Sequence, residues 1–192
     1  MKKLISPLAI TAIALAGTLN GVAQQNRAAS TGGVSPHETL SQTFDGARDN
    51  RVTVSYGRPY TTRPGTTEAR KIWGGLVPYG KPWRMGADEA TTLITQKGIV
   101  VGGKTIPAGA YTLYMIPSES GTSELVFSTA LGGWGVPVDT KHDFAHADLT
   151  KGALDKPVDQ FTMAVEKNPA GGGVLKLSWE NTQFSVPFTV QK

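Results

Sequence analysis

Apolar and polar residues alternate with a period of two at several places along the chain, a pattern that predicts β-strands. Val52, Val54 and Tyr56 are the clearest example, because each is separated from the next by a polar residue. Similar alternation is found at residues 124–128, 161–165, 175–179 and 184–190. No amphipathic pattern predicts a helix longer than about three turns. Short helical turns are expected near residues 67–71 and 87–90.

Glycine, proline and asparagine separate these segments and predict tight connections. Gly102-Gly103 lies between two short β-prone segments and is typical of a two-residue hairpin. The sequence Pro107–Gly109 predicts a second turn, and Asn181-Thr182 predicts a tight turn between the last two strands. Pro187 within the final strand indicates an edge position or an unpaired N–H, since proline has no amide hydrogen to donate.

Seven to ten short strands joined in this way predict a mainly β fold, either a single antiparallel β-sandwich or a barrel-like domain. The content of 23 glycines and 12 prolines among 192 residues supports many turns and argues against a helix bundle. No repeat or linker divides the chain, so we expect one β domain over residues 39–192. The preceding segment, residues 24–38, is rich in small and polar residues and is predicted to be a flexible arm.

The first 23 residues have the pattern of a secretory signal peptide. Lysines at positions 2 and 3 precede an uncharged run that ends in Gly21-Val22-Ala23. A membrane anchor is the alternative, but Pro7 and Gly17 leave an apolar core shorter than a bilayer span. We therefore expect cleavage near Ala23 and export to the periplasm or the extracellular space. Because the chain has no cysteine, a lipoprotein anchor is not expected.

The absence of cysteine also excludes disulfides, a cysteine nucleophile, thiolate zinc sites and iron–sulfur clusters. Two of the three histidines, His142 and His146, lie in the acidic segment 139–148. On a strand, residues four apart would be separated by about 13 Å, too far to hold one ion. The sequence therefore predicts no metal and no cofactor.

Positive charge is concentrated in residues 51–84. This window holds seven basic residues and one acid, Glu68, whereas the rest of the mature chain has ten basic and fourteen acidic residues. Nucleic acid is an obvious partner for a basic patch, but export makes it unsuitable. An anionic small molecule or an envelope glycan is the partner that we expect.

The strand that contains Tyr56 lies at the start of this basic window. Tyr56 and Arg58 share the parity of the apolar face, and Pro59 keeps the preceding residue extended. The sequence therefore places the Arg58 guanidinium at the rim of the core, where a charge requires a partner.

Glycines between positions 74 and 86 break the next segment into tight turns. These turns are expected to bring Trp73, Trp83 and Arg84 close together, as in a ligand-facing surface of aromatic rings and guanidinium groups. In the alternative interpretation, the tryptophans close the end of the sandwich. The arginines then pair with Asp88, Glu89 or backbone carbonyls.

A longer motif in the same region carries a family resemblance. Residues 70–91 read R-K-I-W-G-G-L-V-P-Y-G-K-P-W-R-M-G-A-D-E-A-T, with Y-G-R-P upstream and I-P-A-G-A-Y-T-L downstream. With the ending W-E-N-T-Q-F-S-V-P-F, this pattern resembles the domain-of-unknown-function 2911 family over about residues 35–190. The resemblance implies an exported bacterial β domain and transfers no catalytic role. Asp88 stands where the family pattern has asparagine.

The motif identifies a set of candidate ligand-binding residues: Tyr56, Arg58, Arg70, Trp73, Trp83, Arg84 and Glu89. We expect a non-enzymatic binding or accessory module. In it, Arg58, Arg70 and Arg84 would donate hydrogen bonds to an anion, and Trp73 and Trp83 would provide stacking surfaces.

Two other hypotheses remain open at the level of sequence. The first is an envelope hydrolase in which Glu89 acts as acid or base beside Arg58 or Arg84, although no nucleophile motif accompanies it. The second is a purely structural role, in which the motif caps the sandwich. The structural hypothesis requires a closed, paired network of these residues, and the other two require an open pocket.

Overall fold

The computed structural model describes residues 26–30, 35–46 and 48–191. The predicted signal peptide and its cleavage site lie outside these residues. The described residues form ten strands: β1 (Asn26–Ser30), β2 (His37–Thr43), β3 (Arg51–Gly57), β4 (Thr91–Thr95), β5 (Ile99–Val101), β6 (Lys104–Ile106), β7 (Gly109–Ile116), β8 (Ser123–Ser128), β9 (Asp143–Lys167) and β10 (Gly173–Val190). The predicted mainly β, antiparallel fold is confirmed.

The strands form one antiparallel sheet in the order β1-β2-β3-β4-β7-β8-β9-β10-β5-β6. The long strand β9 joins its two halves, because it pairs with β8 as far as Leu149 and with β10 from Thr150 onward. The two halves of the sheet enclose a common apolar interior, in which Val52 and Phe127 of one half lie near Val165 of the other. The architecture is therefore a sandwich made by one sheet that turns at β9.

Two of the predicted turns are confirmed, and so is the expectation that Pro187 lies where β10 is not paired. Gly102 and Gly103 connect β5 to β6 with φ values of 55° and 74°, a backbone conformation that glycine adopts without strain. The turn Pro107–Gly109 leads into β7 at Gly109. Pro187 lies between the last β10 residue paired with β9, Ser185, and the first one paired with β5, Phe188.

The turn predicted at Asn181-Thr182 is wrong, because β10 continues through it. The register against β9 shifts on both sides of Glu180, whose φ is 50°. This irregularity is a β-bulge region, which keeps the chain paired while it bends the strand. A local turn signal is thus used to bend one long strand instead of to connect two short ones.

The helical turns expected at residues 67–71 and 87–90 are also wrong. Within the described residues the helical structure is a single 3₁₀ turn at Thr140–His142, where the Asp139 carboxylate accepts a hydrogen bond from the Lys141 amide at 2.9 Å. The first segment instead folds back on residues 61–63, with Arg70 N–H donating to the Thr61 carbonyl at 2.8 Å. The second contains Asp88 in the left-handed conformation, with φ 63°.

The segment predicted to be a flexible arm, residues 24–38, contains regular structure where it is described. Residues 26–30 form β1, which pairs with β2, and His37 and Glu38 are the first residues of β2. Glu38 shares the buried face of β2 with Leu40. No helix in the described part of the chain is both long and apolar enough to cross a bilayer.

A close backbone contact holds residues 85–88 against the end of β3. A Cβ atom added to Gly57, at the end of β3, would lie 2.1 Å from the Ala87 carbonyl oxygen. A Cβ atom on Gly86 would lie 2.8 Å from the Gly57 carbonyl oxygen. Residues 85–88 therefore lie directly on the end of β3, with no room for a side chain between them.

We expect Gly57→Ala to destabilise the protein by about 2 kcal/mol, because the added methyl group forces residues 85–88 away from β3. Gly152→Ala is a matched control on β9, where the new Cβ atom would have no neighbour closer than 4.0 Å. Its effect should stay within about 0.5 kcal/mol. Urea denaturation of both variants provides the measurement. Equal stabilities for the two variants would contradict the close contact.

Candidate functional site

An open cleft of about 570 Å³ lies beside the end of β3. We call it the arginine cleft. Its charged and aromatic lining residues are Tyr60, Arg63, Arg70, Trp83, Arg84, Asp88 and Trp179, and Leu76 and Val136 add apolar surface. Three guanidinium groups and one carboxylate belong to this set. Its volume is within the range of about 300–1,000 Å³ that is typical of small-molecule sites.

One wall of the arginine cleft is the segment that follows β3. The Pro59 carbonyl accepts a hydrogen bond from the Phe161 amide at 2.8 Å, and the Thr61 amide donates to the Asp159 carbonyl at 2.7 Å. These contacts attach the segment to β9. The chain then reverses, so that Arg63 and Arg70 are carried on neighbouring parts of one small loop.

Arg70 has unused hydrogen-bonding capacity. Its Nη2 donates to the Tyr60 carbonyl, and its buried Nε has no hydrogen-bond partner among the residues that the structure describes. Partial burial lowers the pKa of Arg70, and the positive charge of Arg63 lowers it further. Neither effect is offset by a carboxylate, so an anion in the cleft would relieve both.

Arg84 is held by backbone carbonyls. Its Nη1 donates to the carbonyl oxygens of Asp88 and Trp134, the latter at 3.0 Å. The guanidinium carbon lies 5.7 Å from the centre of the Trp134 ring, a cation–π contact. Partial burial lowers the pKa of Arg84, while the negative charges of Asp88 and Glu89 oppose that shift.

The two predicted tryptophans occupy different environments. Trp83 pairs with β7 through hydrogen bonds with Met115 at 2.8 and 2.9 Å, and its ring stacks on Trp179 at 5.8 Å with an interplanar angle of 18°. Trp83 therefore presents an aromatic surface to the arginine cleft. Trp73 packs against the core, with its ring 5.2 Å from Phe184, and lies outside the described lining of the cleft.

Tyr56 and Arg58 belong to a closed network around Glu38, a carboxylate whose residue is only 3 % exposed. Tyr56 donates to Glu38 Oε2 at 2.8 Å, and Arg58 Nε lies 3.2 Å from the same oxygen. Arg58 Nη2 donates to Thr162 Oγ1 at 2.9 Å, and the Met163 amide donates to the Tyr56 oxygen at 2.8 Å. Burial is the main cause that raises the pKa of Tyr56 well above its usual range. The network joins β2 and β3 to β9.

Glu89 lies next to the network around Glu38, because it lines a cavity of about 190 Å³ together with Glu38 and Tyr56. Its exposed carboxylate is 2.8 Å from His37 Nε2, and it lies outside the described lining of the arginine cleft. A hydrogen bond from its own backbone amide lowers the pKa of Glu89, and His37 adds to that effect.

The neighbouring Asp88 adopts a left-handed backbone conformation, with φ 63°. Asparagine and aspartate tolerate this conformation better than most residues. Asp88 therefore fits this backbone geometry and places a carboxylate in the lining of the cleft.

The two histidines of the acidic segment have separate partners. His146 Nδ1 lies 2.8 Å from Glu124 Oε2, and His142 Nε2 lies 3.8 Å from Asp139 Oδ2. In the part of the chain that the structure describes, no group of three or more histidine, aspartate or glutamate side chains is arranged to hold a metal ion.

The seven candidate residues are thus divided among different environments. Arg70, Trp83 and Arg84 meet at the arginine cleft, Tyr56 and Arg58 form the closed network, Trp73 packs on the core, and Glu89 pairs with His37. Sequence reasoning missed Glu38, Trp179 and the contribution of Arg63 to the cleft. Glu38 could have been found as the one acid that shares the parity of Leu40 and Phe44.

The fold and the site define an antiparallel β-sandwich protein with an open cleft lined by arginine and tryptophan. The family model described as "Protein of unknown function (DUF2911)" matches residues 35–188, so the chain belongs to that family and the resemblance is confirmed. Comparison with curated proteins and with solved structures gives no match.

We expect Glu38→Gln to destabilise the protein by about 3 kcal/mol, because it removes the charge partner of Arg58 from a largely buried pair. Glu68→Gln is the matched control. It makes the same substitution in the Arg63–Glu68 pair, whose side chains are both 62 % exposed. Exposed pairs contribute little, so the control should lose less than about 0.5 kcal/mol. Urea denaturation of both variants is the measurement, and similar losses would show that the Glu38 network is not structural.

Proposed function

We propose that this protein is an exported, non-enzymatic binding or accessory protein whose arginine cleft takes an anionic ligand with a flat face, such as an acidic sugar. The observation that carries the proposal is the lining of the cleft. Arg63, Arg70 and Arg84 surround the stacked rings of Trp83 and Trp179, and Asp88 is the one acidic residue in the described lining.

The charge of this lining favours an anion. Arg70 and Arg84 use backbone carbonyls as hydrogen-bond acceptors, so their charges are only partly compensated. Arg63 pairs with Glu68, but that pair is exposed and Glu68 lies outside the described lining. Guanidinium groups form paired hydrogen bonds with carboxylates and phosphates, which supports an oxyanion as the recognised group.

The aromatic surface favours a ligand with a flat face. Trp83 is half-buried and rests on the fully buried Trp179, so its ring is held in one orientation. A rigid ring loses little conformational freedom when a ligand stacks on it. A sugar ring that carries a carboxylate combines both features, a flat face for Trp83 and an oxyanion for the arginines.

Export is supported by the signal-peptide pattern of residues 1–23. The envelope of a bacterium contains acidic glycans, which are ligands of the proposed kind. The hydrolase hypothesis receives less support, because Glu89 lies outside the described lining of the arginine cleft and its carboxylate pairs with His37.

The test is isothermal titration calorimetry of the purified chain with an oligosaccharide of glucuronic acid and with its carboxyl-reduced, neutral form. We expect the acidic form to bind at least about 10-fold more tightly, because hydrogen bonds to charged groups contribute about 1.5–3 kcal/mol. Arg70→Met should remove most of this difference. Lys104→Met, an exposed cation on the β5–β6 hairpin, is the control and should leave it unchanged.

Equal affinity for the acidic and neutral forms, or no effect of Arg70→Met, would contradict the proposed function. Cleavage of either oligosaccharide by the wild-type chain and its loss in Glu89→Gln would establish the hydrolase hypothesis instead. The melting temperature of each variant is measured first, to show that the variant is folded before its affinity is compared with that of the wild type.

A further inference from the structure

A second, smaller cavity opens beside the arginine cleft. It has a volume of about 240 Å³ and shares Arg84 and Val136 with the arginine cleft. We call it the apolar groove after its apolar lining residues: Ala130, Leu131, Trp134, Val136, Pro137 and Val138. The polar residues Thr112, Tyr114, Ser128 and Asp139 also line it beside Arg84. The two cavities are therefore neighbouring parts of one surface, divided by the Arg84 side chain.

Exposed apolar side chains are concentrated on this surface. Leu131, Trp134 and Val136 are 52 %, 57 % and 62 % exposed. Among the seven large apolar residues that are exposed in the described part of the chain, these three line the apolar groove, and Tyr60 and Leu76 line the arginine cleft. Clusters of exposed apolar residues commonly mark binding sites.

The loop that carries this apolar surface is tied to the cleft. The Ala90 amide donates to the Gly133 carbonyl at 3.1 Å, and Arg84 Nη1 donates to the Trp134 carbonyl at 3.0 Å. A Cβ atom added to Gly135, whose φ is 76°, would lie only 3.0 Å from Arg84 Cβ. The groove is thus formed by the same contacts that hold Arg84.

We propose that the ligand is an amphipathic anion whose charged head lies in the arginine cleft and whose apolar tail lies in the apolar groove. This inference rests on the proposed function, since it takes the arginine cleft as the anion site. Charge complementarity places the head, because the arginines of the first cavity are only partly compensated. The apolar tail follows from the shared wall, since a ligand longer than one sugar ring extends past Arg84 onto Leu131 and Trp134.

The experiment uses three probes: methyl glucuronide for the head alone, octyl glucoside for the tail alone, and octyl glucuronide for both, each below its critical micelle concentration. We expect octyl glucuronide to bind at least about 30-fold more tightly than methyl glucuronide, because each fully buried methylene strengthens binding about four-fold. It should also bind at least about 10-fold more tightly than octyl glucoside.

Leu131→Ser tests the apolar groove, because it removes an exposed apolar side chain from the groove lining. Leu131 takes no part in the hydrogen bonds that hold the Arg84 guanidinium, so the anion site stays intact. We expect the substitution to reduce the advantage of octyl over methyl glucuronide by at least about five-fold and to leave methyl glucuronide binding unchanged. Ile94→Ser is the matched control on β4, since Ile94 is 47 % exposed and lies outside the described lining of both cavities. It should change neither affinity.

The outcomes separate the two proposals. If methyl glucuronide binds through Arg70 but the octyl chain adds nothing, or its gain survives Leu131→Ser, the amphipathic ligand is wrong and the anion site remains. If octyl glucuronide and octyl glucoside bind equally, the proposed function fails. If Leu131→Ser instead converts a dimer to a monomer in sedimentation, with no octyl gain in the wild type, the groove is an interface between copies of the chain.

Discussion

The buried carboxylate of Glu38 is the constraint on which the arrangement of the site depends. A charge in the interior is costly unless it is paired and hydrogen-bonded. Glu38 therefore holds the Tyr56 hydroxyl and the Arg58 guanidinium, and those two groups in turn bond Met163 and Thr162 of β9. The network fastens the two halves of the sheet to each other where β3 ends and the arginine cleft begins.

The cleft follows from how the chain leaves this fixed point. Beyond Arg58 the chain runs along β9 and carries Arg63 and Arg70 on one wall, while the close contact between Gly57 and Ala87 places Arg84 and Asp88 on the other. Arg58, which pairs with the buried carboxylate of Glu38, is structural. Arg70 and Arg84 donate to carbonyl groups, and the carboxylate partner of Arg63 is exposed, so these three arginines are left for a ligand. The basic window at residues 51–84 thus contributes both to the closed network around Glu38 and to the open arginine cleft.

Local patterns in the sequence were sufficient for the fold class and for the hairpin at Gly102-Gly103, because these depend on neighbouring residues. They were insufficient where the local structure depends on a residue that is distant in the sequence. Asn181-Thr182 reads as a turn, yet pairing with β9 keeps β10 continuous through a bulge. Arg58 was expected to need a partner, but Glu38 was assigned to a flexible arm. Trp179 was missed as part of the cleft because it meets Trp83 only in the folded sheet.

Amide hydrogen exchange of Met163 tests most directly whether the Glu38 network locks the two halves of the sheet. Its N–H donates to the Tyr56 oxygen across this junction, in a part of β9 that also pairs with β10 at Leu177. We predict exchange only through global unfolding, with the same free energy as core amides such as that of Leu113. Exchange of Met163 through a local opening, many-fold faster than that of the core amides, would contradict the account.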